Sequence, residues 1–161
     1  IGVKLGPTTS AQDAVALADE LDPDHTPGRL TFISRMGAGR IHAALPPLVR
    51  AVRDSGHPVV WICDPMHGNT FSAGTGHKTR SYADVMDEVT GFFEVMRAEG
   101  VHPGGLHVEL TGDDVTECVG GTAGITEDGL GLRYETACDP RLNRVQSLEL
   151  AFAVAEMLVK R

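Results

Sequence analysis

Five side chains in this sequence have types and spacings that could do chemistry: Lys4, Arg35, His67, Glu109 and Asp139. The first four lie 31, 32 and 42 residues apart, each near the end of an apolar stretch. A repeat of that size is one strand plus one helix. It sets all four groups at one rim of a parallel sheet, where sites form in α/β proteins. His67, Glu109 and Asp139 offer one nitrogen and two carboxylates, a donor set suited to manganese, iron, cobalt or zinc. Lys4 and Arg35 are the anion half. A lysine between apolar neighbours is costly unless neutralised, and a guanidinium presents a planar fork to phosphate or carboxylate. Plainer readings stand beside these. His67 reads equally as a hydrogen-bonded loop histidine, Asp139-Pro140 as a turn, Glu109 as half of an ion pair, and Lys4 and Arg35 as salt-bridged to nearby acids.

The stretch Trp61–Thr70 organises the chain. Val59 to Cys63 reads as a buried strand, and Asp64-Pro65 stops it because proline brings no amide to a sheet ladder. The loop Asp64 to Arg80 is long and glycine-rich, and a loop of that length in a compact domain is functional or mobile. Gly74-Thr75-Gly76-His77-Lys78-Thr79 fails the phosphate-loop pattern, because His77 separates Gly76 from Lys78 and no helix follows at once. Lys78 and Arg80 remain able to meet an anion from that loop.

These groups need a scaffold, and periodicity supplies one. Ile1 to Gly6 alternates like a strand; Thr9 or Ser10 caps a helix with Ala14, Leu17, Ala18 and Leu21 on one stripe. Arg29 to Arg35 is a second strand. A short helical segment is predicted near Arg40 to Ala44, with a fresh start at Pro46 and a stop at Ser55-Gly56. Pro58 to Cys63 is the third strand. Ser81 caps a helix with Val85, Val89, Phe92, Phe93 and Met96 buried. Gly105 to Leu110 is the fourth strand, with Glu109 on its polar face. Thr111 to Thr136 is irregular, and a last helix spans about Leu142 to Val159 with Leu148, Phe152, Ala155 and Leu158 on one side. The order β-α-β-α-β-α-β-α predicts an α/β fold with a parallel sheet and right-handed crossovers. A closed barrel needs eight such units. Four leave raw edges.

Composition excludes several classes. The 161 residues are 42% hydrophobic and 5% aromatic with 19 glycines, which is globular and rich in turns. A formal charge of −8 and no basic stripe argue against nucleic-acid binding. Cys63, Cys118 and Cys138 form no close pair, which disfavours a disulfide scaffold or zinc knuckle. Cys63 reads as a buried strand residue; His25, His42, His57 and His102 read as solvated. No apolar run approaches membrane length and no signal pattern is present, so a cytoplasmic location is expected. The chain opens at Ile1 within a strand, the expectation for a piece of a longer protein or a processed one.

The strings Cys63-Asp64-Pro65-Met66-His67-Gly68-Asn69-Thr70, Lys78-Thr79-Arg80, Gly104 to Gly112, Val115 to Gly121, and Arg133 to Asn143 resemble the type II (plant-like) 3-deoxy-D-arabino-heptulosonate 7-phosphate (DAHP) synthases. The resemblance runs along the whole chain. It implies a (β/α)8 TIM barrel, of which residues 1–161 supply the last four βα units, the C-terminal half of one catalytic domain. It implies a transferase that opens the shikimate pathway of aromatic amino acid biosynthesis. Phosphoenolpyruvate and erythrose 4-phosphate condense, and phosphate is released. It places three metal ligands on His67, Glu109 and Asp139, for Mn2+ first, with Co2+, Fe2+ or Zn2+ as alternatives. Phosphoenolpyruvate contacts fall on Lys4 and Arg35, so that Lys4, Arg35 and His67 form the catalytic set, and the full-length enzyme is expected to be a homo-oligomer. The family's fourth ligand is a cysteine that matches none of Cys63, Cys118 or Cys138. A non-catalytic fragment that completes a barrel with a partner chain is therefore a competing expectation, and another metal-dependent barrel lyase or aldolase a third.

Overall fold

A computed structural model describes residues 1–159. In chain order the elements are β1 (Gly2–Leu5), α1 (Ala11–Leu21), β2 (Thr31–Ser34), α2 (Ile41–Asp54), β3 (Val60–Cys63), β4 (Thr70–Ser72), β5 (Lys78–Arg80), α3 (Tyr82–Ala98), β6 (Pro103–Leu106), a 3-10 turn (Glu127–Leu132) and α4 (Arg144–Val159). They form two compact units. The first holds residues 1–68 and 88–107; the second holds 69–87 and the chain from Val108. No helix among the described residues is long and apolar enough to cross a membrane.

In the first unit β1, β2, β3 and β6 form one parallel sheet in that order. Lys4 pairs in register with Ile33, and Ser34 with Cys63. Sequential order with no reversal follows from three successive helical crossovers. Leu5, Phe32, Trp61 and Cys63 are buried on one side of the strands, with Phe32 and Trp61 edge to face at 5.4 Å. The alternate residues Lys4, Ile33, Val60 and Ile62 are half-buried or exposed, unusual for a parallel sheet, which is ordinarily covered on both faces.

Ser10 caps α1 in a reciprocal box with Asp13. α2 corrects the prediction: it runs unbroken through Pro46 and Pro47. The carbonyls that lose amide partners belong to His42 and Ala43, both exposed residues, where solvent can satisfy a freed carbonyl at little cost. Ile41, Leu45, Leu48, Val49 and Val52 face inward. In α3 the expected stripe of Val85, Val89, Phe92, Phe93 and Met96 is buried throughout, and Ser81 Oγ accepts from the Asp84 amide at 3.3 Å.

The fourth strand is displaced from its predicted span. β6 covers Pro103–Leu106, and residues 107–109 are not strand. The pairing of β3 with β6 shifts register at Gly104, where a Cβ would lie 2.7 Å from the Trp61 carbonyl oxygen. The ladder forms on the glycines and ends before Val108. His57 is another correction: it is buried, stacked on His25 at 4.0 Å, with Nδ1 3.0 Å from Ser55 Oγ.

In the second unit the presumed loop Asp64 to Arg80 contains an antiparallel hairpin, β4 with β5, closed by a turn with Gly76 at φ 84. Isolated bridges join Leu110 to Leu142, Ser81 to Val119 and Gly120 to Ile125. The core of this unit mixes apolar residues (Val115, Cys118, Leu130, Leu142, Leu150) with polar ones (Thr79, Arg80, Glu117, Asn143, Gln146). The buried side of α4 is not its row of large apolar residues. Gln146 and Leu150 are buried, whereas Leu148, Phe152 and Leu158 are exposed. The buried Gln146 side chain donates to the carbonyls of Cys118 and Gly120. Backbone satisfaction, not apolar periodicity, sets which side of this helix is inside.

Candidate functional site

Asp64 follows β3 directly, and its amide donates to Ser34 O at 2.7 Å. With Pro65 next, the chain turns at once, and Asp64 Oδ1 accepts from the amides of Met66 (3.0 Å) and His67 (3.1 Å), a turn that aspartate forms with its own backbone. This buried carboxylate gathers the rim. Lys4 Nζ, on β1, donates to Oδ2 at 2.6 Å, and His67 Nδ1 lies 2.9 and 2.8 Å from Oδ1 and Oδ2. Burial, the largest single influence, pushes the Asp64 carboxyl up; hydrogen bonds from Lys4 and His67 together outweigh it and hold it below its ordinary value. Lys4 is thus neutralised by an acid within the chain, the plainer of its two readings.

Arg35 stands just past β2. Its Nη2 donates to His67 O at 3.2 Å, and its Nε is buried with no hydrogen-bond partner among the described residues. A buried, unsatisfied guanidinium nitrogen calls for an acceptor, so the anion reading survives for Arg35. The next two amides, of Met36 and Gly37, both donate to Glu88 Oε1, at 2.7 and 2.9 Å. Gly68 closes against this loop: a Cβ there would sit 2.6 Å from Gly37 N. Only glycine fits between the two loops that carry Arg35 and His67.

The second unit holds the other predicted residues. Glu109 lies on irregular backbone, not on a strand, and accepts from Arg80 Nη1 at 2.6 Å. Arg80 is completely buried. Its Nε donates to Thr70 Oγ1 at 3.0 Å, and its Nη1 also donates to Pro140 O. Asp139 pairs with Lys78, whose hydrogen bond is the main cause lowering its pKa. Glu109 and Asp139 present carboxylate oxygens within 4.8 Å of each other, in a cavity of about 350 Å³ also lined by Val108, Thr136, Cys138 and Arg141. Lys78 and Arg80, seen in the sequence as anion contacts, are thus engaged by these two acids.

The loop carrying Asp139 hangs on Glu117. This buried carboxylate accepts from the amides of Glu135 (3.2 Å), Thr136 (2.9 Å) and Arg141 (2.8 Å). It also takes the Arg141 guanidinium through Nε at 2.9 Å and Nη2 at 2.7 Å. Burial raises the Glu117 pKa most strongly, but the Arg141 side chain and the loop amides together prevail and lower it. Cys63 and Cys118 are buried and Cys138 is exposed, all as free thiols. Burial pushes Cys63 well up and Cys118 to about 12, so neither is a thiolate near neutral pH.

The sequence places Asp64 at the strand end among the polar groups of the rim, but assigns no role to Glu88 or Glu117. Glu88 carried a signal. It lies three residues after Val85 and four before Phe92, on the buried stripe of α3, where a lone acid demands partners. Glu117 had no comparable pattern around it.

The model of the class-II DAHP synthetase family matches residues 1–155. The chain is 65% identical over 157 residues to a phospho-2-dehydro-3-deoxyheptonate aldolase of Streptomyces coelicolor, covering 98% of this chain and 35% of that protein. It is 59% identical over 158 residues to the phospho-2-dehydro-3-deoxyheptonate aldolase AroG of Mycolicibacterium smegmatis, covering 98% and 34%. A protein of Streptomyces lividans with the same enzyme name is 64% identical over 139 residues, 86% of this chain and 94% of that sequence. The chain spans about a third of the length of the first two.

Proposed function

The chain belongs to the class-II DAHP synthetase family, and from that premise we propose that it carries part of the active site of a DAHP synthase: the last four βα units of a (β/α)8 barrel, a single catalytic domain in the full-length enzyme. The substrates proposed are phosphoenolpyruvate and erythrose 4-phosphate. The reaction bonds the alkene carbon of the first to the aldehyde carbon of the second, adds water and releases phosphate, as the opening step of the shikimate pathway in the cytoplasm. The observation that carries this reading is the rim of the first unit. Lys4, Arg35 and His67 stand at the ends of three successive parallel strands around Asp64, with the Arg35 Nε lacking an acceptor.

Lys4 and Arg35 would orient the phosphate and carboxylate of phosphoenolpyruvate through charge-assisted hydrogen bonds. The donor chemistry of His67, Glu109 and Asp139 fits a divalent cation such as Mn2+, with Co2+, Fe2+ and Zn2+ as alternatives: two carboxylates close together and a histidine whose Nδ1 is hydrogen-bonded to a carboxylate. A metal bound there supplies Lewis acidity toward the aldehyde oxygen. Arg80 and Lys78 balance the charge of Glu109 and Asp139.

The test is a condensation assay on the full-length protein containing this chain. Activity should vanish with a chelator and return with Mn2+. Arg35→Lys should raise the KM for phosphoenolpyruvate, because lysine lacks the fork; unchanged kinetics would remove Arg35 from the site. A second reading drops the catalysis: a fragment that completes a barrel with a partner chain. The exposed apolar residues of α4, Leu148, Phe152 and Leu158, favour an association of some kind. The chain by itself is expected to be inactive and to bind metal weakly, and homo-oligomerisation is expected of the full-length enzyme.

A further inference from the structure

Asp64 meets four groups in the first unit: the amides of Met66 and His67, the Lys4 ammonium and the His67 ring. Two backbone amides fix Oδ1, and the strand fixes the backbone. The side chain is buried. Two functional groups then meet one rigid anion, Lys4 Nζ at 2.6 Å and His67 Nδ1 at 2.8 Å from Oδ2. His67 Nδ1 also lies 3.4 Å from Lys4 Nζ. A carboxylate demands a proton on Nδ1 and an ammonium demands a lone pair there. The carboxylate is nearer, at two oxygens, so it decides. A proton on Nδ1 would answer that carboxylate.

We propose that Asp64 is a positioning residue that couples the two halves of the rim, holding the Lys4 ammonium in place while fixing His67 in the tautomer whose Nε2 can serve as a metal donor. This deepens the function proposed above and rests on it for the roles of Lys4 and His67. A partner of this kind, behind a ligating histidine, commonly alters metal affinity by about 10- to 100-fold when lost. Here the same carboxylate also holds a substrate contact, so one substitution should impair two measurements that are otherwise independent.

The experiment compares the full-length wild-type protein with Asp64→Asn. Asparagine keeps an oxygen for the two amides but loses the charge. Mn2+ affinity, measured calorimetrically, should fall about 10-fold or more, and the KM for phosphoenolpyruvate should rise several-fold while that for erythrose 4-phosphate stays near the wild-type value. Nitrogen NMR of the metal-free, histidine-labelled protein, with the His67 signals assigned by their loss in His67→Gln, should show protonated Nδ1 in the wild type and a shift toward protonated Nε2 in Asp64→Asn. Unchanged Mn2+ affinity with an unchanged ring tautomer would overturn the proposal. If Asp64→Asn does not fold, the wild-type spectrum still decides, because protonated Nε2 there contradicts it. Absence of condensation by the wild type would sink the proposed function instead and leave the tautomer to judge Asp64.

Discussion

The two units hold their charged residues by different means. In the first, Lys4, Arg35 and Asp64 stand on or beside strands whose backbone is already fixed by parallel ladders, and β1 to β3 pair in continuous register. In the second, Glu109 and Asp139 sit on irregular backbone joined by isolated bridges. There a buried side chain replaces the ladder: Glu117 gathers three amides and a guanidinium, and Arg80 reaches Thr70, Glu109 and Pro140. A ladder spreads its stabilisation over many weak contacts. A buried carboxylate concentrates it in one residue, so the second unit should fail more abruptly when that residue is lost.

The largest effect is therefore expected from Glu117→Ala. It strands the Arg141 guanidinium and three loop amides and should cost about 3–5 kcal/mol, read as a lowered denaturation midpoint. Glu88→Ala, which strands the amides of Met36 and Gly37, should cost about 1–3 kcal/mol. Equal losses would break the comparison.

Gly68→Ala should come next. Its Cβ would meet backbone atoms of Gly37 at 2.6 and 3.0 Å, which cannot yield as a side chain end can, so about 1–3 kcal/mol is expected from overpacking. Gly112 is the matched control in the second unit. Nothing lies within 4 Å of an added Cβ, and Gly112→Ala should stay within about 0.5 kcal/mol. Urea melts of both variants check the pair.

Acid sharpens the contrast further. Asp64 and Glu117 both have folded pKa values below their ordinary ones. Each contributes stability that is complete above the unfolded carboxyl range, roughly pH 4 to 5, and is lost as pH falls through the lower folded value. Denaturation midpoints should be flat from neutral pH to about 5 and drop below it. Glu117→Gln should flatten the drop, and hydrogen exchange in that variant should quicken at residues 135–141 while the amides of Met36 and Gly37 keep their protection. The exchange change is the smallest effect and the most local one.

Much of the first unit was legible because its signals are short-range. Ser10 with Asp13, the alternation of β1 and the apolar stripe of α3 each lie within a few residues and need no knowledge of a partner. The candidate site residues Lys4, Arg35 and His67 stand out the same way, by recurrence at strand ends. Glu88 is legible too, as an acid on that stripe. The second unit resisted for a physical reason. Glycines and isolated bridges leave no period to detect, so neither the hairpin of β4 with β5 nor the early end of β6 at Leu106 could be read from local pattern.

By itself the sequence determined which residues are chemically able: the cations, the histidine and the carboxylates, with their spacing along the chain. Only the tertiary structure decided their partners, because partners are chosen by packing across large sequence separations. Lys4 meets Asp64 60 residues away, Arg80 meets Glu109 29 away, and Arg141 meets Glu117 24 away. It also decided that α4 turns Gln146 inward and Phe152 outward. An unpaired backbone carbonyl in the interior costs more than an apolar side chain left in water, and no periodicity in the helix itself records where those carbonyls are.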